Sequence, residues 1–86
     1  MLPKNSEEIA KKLLEKLLSD EIIGGRHTAF ENLPKGFPKY LRGEVKEVAE
    51  YLIRTGFIVK KMTSYGLQVS LNSKMLSQIE AKIRDP

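Results

Sequence analysis

The hydrophobic repeat of this chain drops from helical spacing to a period of two within its second half, and that change limits the folds open to it. Leu41, Val45, Val48, Ala49, Leu52 and Ile53 recur at helical spacing, with Arg42, Lys46, Glu47, Glu50 and Arg54 mostly on the opposite side. The spacing predicts a helix over about 39–54, with Pro38 or Gly43 as alternative starts. Gly56 is a natural stop after it. Beyond that glycine the period falls to two. Phe57 to Lys61 reads as a strand, and Leu67, Val69 and Leu71 alternate with Gln68 and Ser70 as a half-buried partner. Met62-Thr63-Ser64-Tyr65-Gly66 joins the two strands, and Gly66 is free to take a positive φ. The predicted hairpin region covers about 57–71.

The flanking segments read as helices of different quality. Ile9, Leu13, Leu14, Leu17 and Leu18 predict an amphipathic helix over about 6–19, with Asn5 and Glu8 as a capping box and Ser6 as the alternative cap. Ile22 and Ile23 lead back to the core before Gly24-Gly25 interrupts. Ala29, Phe30 and Leu33 predict a short helix over about 28–33, capped by Thr28 and ended by Pro34. Gly36 and Pro38 mark a turn. Asn72 is the expected cap of a last helix over about 73–84, whose stripe is Met75, Leu76, Ile79 and Ile83.

A chain of 86 residues with 41% apolar composition has room for one domain, here 1–86, and one core. No apolar run is long enough to span a bilayer, and the first residues do not read as a secretory signal. The absence of cysteine removes disulfides, zinc ribbons and thiol nucleophiles together. A cytoplasmic location is the expectation. The net charge of +4 is unevenly spread. Arg26, Lys35, Lys39, Arg42, Lys46, Arg54, Lys60 and Lys61 face Glu31, Glu44, Glu47 and Glu50 within 26–65, so the excess lies in that middle segment.

In this order of elements the chain resembles the winged helix-turn-helix superfamily over nearly its whole length. The runs His27-Thr28-Ala29-Phe30, Leu33-Pro34-Lys35-Gly36-Phe37-Pro38 and Tyr65-Gly66-Leu67-Gln68-Val69-Ser70-Leu71-Asn72 also look like small archaeal winged-helix proteins of unassigned function. The resemblance implies an α+β fold with a three-helix core, a two-stranded β-wing and an additional C-terminal helix. It implies sequence-specific binding of double-stranded DNA, often as a homodimer and often in regulation of transcription. Such domains also serve as protein–protein interaction modules within larger assemblies, which is the alternative. Glu44, Glu47 and Glu50, on or near the presumed reading face, depart from the pattern.

Duplex DNA is a dense line of phosphates, so a binder needs cations along one surface. Lys35, Lys39, Arg42 and Lys46 follow at intervals of four, three and four, leading into the longer helix. A helix amino end adds partial positive charge and amide donors. Arg42 and Lys46 are candidates for base edges; the alternative is that they pair with Glu44, Glu47 or Glu50. Glu47 and Glu50 are themselves expected to pair with neighbouring cations on the helix. Lys60, Lys61, Ser64 and Tyr65 are candidates for backbone contact from the hairpin, with packing over the ribbon as the alternative for Tyr65. Tyr51 is a candidate exposed residue for a protein partner.

His27 has no second histidine to share a metal and is expected to secure its loop by a hydrogen bond. Arg26 is expected to be solvated. Gly24-Gly25 lacks the lysine and hydroxyl residue of a phosphate loop. No nucleophile, base and oxyanion donor assemble in the pattern, so neither catalysis nor a cofactor or metal is expected. The broad apolar faces of the first and last helices would suit a two-fold dimer, unless both are buried within one chain.

Overall fold

The computed structural model describes residues 4–85, and the first residues, expected not to form a secretory signal, lie partly outside them. The described residues form an α+β domain of three α-helices and one three-stranded antiparallel sheet. None of these helices is long and apolar enough to cross a membrane.

Helix α1, Lys4–Ser19, buries Ile9, Ala10, Leu13, Leu14 and Leu17 on one face. The helix already runs through Asn5 and Ser6, so neither caps it. Ser6 is instead buried, and its hydroxyl donates to Glu44 Oε2 at 3.5 Å. The carboxyl end closes as a paired loop: Ile22 N–H donates to Leu17 O at 2.9 Å and Glu21 N–H to Leu18 O at 3.0 Å. That closure needs a left-handed residue, and here it is Glu21, at φ 58°.

The segment after α1 departs from the expected second helix. Thr28–Ala29 is a two-residue strand, β1, and Phe30–Asn32 is one 3-10 turn. Thr28 therefore caps nothing. Its backbone pairs with Val69, and that of Ala29 with Gln68. A ladder with a distant strand satisfies these backbone groups without a helix. Phe30 and Leu33 are buried as the apolar spacing anticipates.

A 3-10 turn at Lys39–Leu41 leads into helix α2, Arg42–Arg54, which buries Val45, Val48, Ala49 and Leu52. Its end repeats the closure of α1, with Phe57 N–H donating to Leu52 O at 3.0 Å and Gly56 N–H to Ile53 O at 3.2 Å. Gly56 takes φ 89° there. Strands β2, Ile58–Thr63, and β3, Gly66–Leu71, then pair from Ile58↔Leu71 to Thr63↔Gly66. Met62 and Thr63 belong to the strand, so the connection is only Ser64-Tyr65. Thr63 Oγ1 donates to Gly66 O at 2.9 Å and accepts from Tyr65 N–H at 3.1 Å, which tightens the turn.

The strand order β1-β3-β2 puts β3 in the centre. Ile58, Val69 and Leu71 are buried in the same core as the α1 and α2 stripes. Ser70, expected on a solvated side, is fully buried because residues 22–24 run past it; its Oγ donates to Gly24 O at 3.1 Å. Asn72 accepts from Lys74 N–H at 3.0 Å as expected of a cap, and its Nδ2 donates to Gly56 O at 2.9 Å. The element it caps begins as a 3-10 turn, Ser73–Met75, before helix α3, Leu76–Arg84. Helix α3 buries Ile79, and Lys82 Nζ reaches Glu7 Oε2 on α1 at 3.2 Å. The apolar stripe of α1 is thus buried inside the chain, whereas on the last helical segment only Ile79 is buried and Met75, Leu76 and Ile83 stay partly exposed.

Candidate nucleic-acid interface

Helical spacing divides the open side of α2 into two strips. Arg42, Lys46 and Ile53 lie on the flank nearest the Phe30–Asn32 turn and the hairpin. Gly43, Glu47, Glu50 and Arg54 lie farther round, opposite the buried stripe. On the flank, Lys46 Nζ stands 2.6 Å from Glu31 Oε1 and Arg42 Nη2 stands 3.5 Å from the same oxygen. The carboxylate that pairs with these cations therefore comes from the Phe30–Asn32 turn and not from Glu44, Glu47 or Glu50. Glu47 and Glu50 have no ion pair among the described residues, contrary to the expectation that helix neighbours would pair with them.

The Lys46 hydrogen bond holds the Glu31 carboxyl below its ordinary value against an opposing desolvation, and the charges of Lys46 and Arg42 add to the lowering. The amino end of this region is open. No side chain caps either the Lys39–Leu41 turn or α2, and a Cβ added at Gly43 would meet nothing within 4 Å. Lys39 and Tyr40 stand in solvent beside it, Tyr40 with 86% of its surface exposed.

Toward its carboxyl end α2 meets the hairpin. Phe30, Glu50, Ile53, Arg54, Lys60 and Leu67 line a depression of about 210 Å³ between the two elements. Lys60 thus joins Arg54, a cation that spacing along the chain did not single out as a candidate. The strand pleat sends Lys61 to the other face of the ribbon. Both lysines are exposed and have no ion pair among the described residues. At the tip Tyr65 is 92% exposed and Met62 is 74% exposed, so Tyr65 does not pack over the ribbon. Ser64 is exposed beside it.

The remaining candidates fall elsewhere. Lys35 lines a second depression with Lys16, Asp20 and Asn32 beside α1, and its carbonyl accepts from Lys16 Nζ. It does not join the α2 flank. Tyr51 is half-buried against the core and lines a groove with Ser6, Glu44, Glu47 and Glu50. Arg26 pairs loosely with Glu21 at 3.9 Å, and His27 makes no side-chain hydrogen bond among the described residues. No cluster of three metal-ligating side chains occurs among the described residues.

What fold and site define together is a small α+β domain whose central helix and hairpin both carry cations and meet at a shallow depression. Comparison with known proteins finds no matching family model, no matching curated protein and no matching solved structure.

Proposed function

We propose that this protein is a winged helix-turn-helix domain that binds double-stranded DNA in a sequence-specific way and serves as a small transcriptional regulator. In this reading α2 addresses a groove and the β2–β3 ribbon is the wing. The observation that carries it is the set of cations that α2 and the ribbon present: Arg42 and Lys46 on one strip of the helix, Arg54 beside Lys60 at the depression between the two elements, and the exposed ribbon residues Lys61, Ser64 and Tyr65. Phosphate contacts from such groups set register, and the helix then reads base edges. The uncapped amino end beside Lys39 adds amide donors. A single 3-10 turn in place of the first helix of a helix-turn-helix is the point where the chain departs from that class.

The test is fluorescence anisotropy of the protein against random and genomic duplexes across a salt series. Binding should weaken with salt by about 0.9 log units per phosphate contact for each log unit of salt. Binding that ignores salt, or none at low salt, contradicts the reading.

A second reading has one specific support: Glu47 and Glu50 stand unpaired on the outward strip of α2, next to a groove lined by Glu44 and Tyr51. Carboxylates in that position repel phosphate and suit a protein partner. A copurifying protein whose binding survives high salt and is lost on Tyr51→Ala would favour an interaction module.

A further inference from the structure

Glu31 belongs to neither element that carries the cations, yet its carboxylate lies against two of them. The turn that presents it is firmly placed. Phe30 and Leu33 on either side are buried, Leu33 N–H donates to Phe30 O at 3.1 Å, and the preceding Thr28 and Ala29 are laddered to β3. Arg42 and Lys46 stand one helical turn apart and reach the same oxygen. A single anionic oxygen gathered by a guanidinium and an ammonium is the geometry these groups also give to a phosphate oxygen. All three side chains keep contact with solvent, with 66% of Glu31, 61% of Arg42 and 29% of Lys46 exposed, so a ligand can reach the cluster without unfolding it.

We infer that Glu31 is an internal competitor for the nucleic-acid backbone, occupying Arg42 and Lys46 until a phosphate displaces it. The inference rests on the duplex-binding reading and adds to it a restraint on affinity. The carboxylate stands where a phosphate oxygen would, so non-specific duplex binding must first break two ion pairs. A site that offers α2 further base contacts makes up that loss, and a random sequence does not. Glu31 thereby sharpens discrimination between sequences while lowering overall affinity.

Glu31→Gln tests this, since it keeps the shape of the side chain and removes its charge. With a random-sequence duplex, E31Q should bind about three- to tenfold more tightly than the wild type, the range for two exposed ion pairs. Its salt dependence should steepen by about one to two log units per log unit, for up to two extra phosphate contacts. The gain should vanish when E31Q is placed in an Arg42→Gln, Lys46→Gln background. Carbon-13 spectra of the wild type should also show the Glu31 carboxyl changing its surroundings on saturation with duplex.

Equal or weaker binding by E31Q overturns the inference, because Glu31 would then be a structural tie or would position the cations. A gain that persists without Arg42 and Lys46 overturns it too, since it would reflect net charge alone. Failure of the underlying reading looks different. In that case neither wild type nor E31Q binds duplex at low salt, or Lys60→Gln and Lys61→Gln leave binding unaltered.

Discussion

Lys46 Nζ and Glu31 Oε1 meet at 2.6 Å across fifteen residues of chain, tying the central helix to the turn that precedes it. The contact settles where the middle segment places its charge. Of the cations along α2, Arg42 and Lys46 are engaged by a carboxylate, while Arg54, together with Lys60 of β2 and with Glu50, lines an open depression. Surface pairs of this kind add little to folding but decide which groups are ready for a partner.

The pair gives stability a predictable pH dependence. The hydrogen bond from Lys46 depresses the Glu31 carboxyl below its ordinary value of 4.5. The unfolded chain therefore takes up this proton more readily than the folded one. The contribution is complete above the ordinary value and is lost as pH falls through the depressed folded value. Thermal melts at stepped pH should show the wild type and E31Q converging below that window and differing above it. A difference unchanged by pH would contradict the assignment.

Two helices close with the same loop but different residues in the left-handed position, Glu21 at φ 58° and Gly56 at φ 89°. A side chain there costs about 1–2 kcal/mol, and glycine avoids the strain at some cost in chain entropy. Glu21→Gly should raise stability by about 0.5 kcal/mol, because the loose pair with Arg26 at 3.9 Å offsets little. Gly56→Ala should lower it by about 1–2 kcal/mol, since the added methyl would also come within 3.3 Å of Met75 Sδ. Urea denaturation measures both. Opposite signs are expected.

Asn72 joins the end of α2 to the start of the last helical segment through Gly56 O and Lys74 N–H. Asn72→Ala removes the cap and strands a carbonyl, and should cost about 1–2 kcal/mol by the same assay. An effect below about 0.3 kcal/mol would show that water replaces both bonds.

Tyr65 separates folding from binding. At 92% exposure its replacement by alanine should change stability by less than about 0.5 kcal/mol. The same variant should weaken duplex binding if the ribbon tip touches DNA. Loss of stability with unaltered binding would assign Tyr65 a packing role.

The long elements were legible in the sequence because each carries a burial period. The apolar positions from Ile9 to Leu17 and from Val45 to Leu52 are the buried ones, and Val69 and Leu71 are buried as read, although Ser70 between them is buried too. The segment from Thr28 to Asn32 was not legible. A two-residue strand has no period, and its partner Val69 lies far along the chain. Thr28 before Ala29 and Phe30 mimics a helix cap, and only the distant ladder overrides that local preference. The role of Glu31 was hidden for a related reason. Spacing arguments point to helix neighbours such as Glu47 and Glu50, whereas the observed pair bridges two elements. Arg54 and Lys60 likewise come together only when the ribbon folds beside α2.

The most direct test of the account compares wild type with the Lys60→Gln, Lys61→Gln double variant in duplex anisotropy across a salt series. Lys60, on the ribbon face beside α2, is predicted to contact a phosphate, so the variant should lose affinity and its salt slope should flatten by about one log unit per log unit. An unchanged slope and affinity would contradict duplex binding through the ribbon.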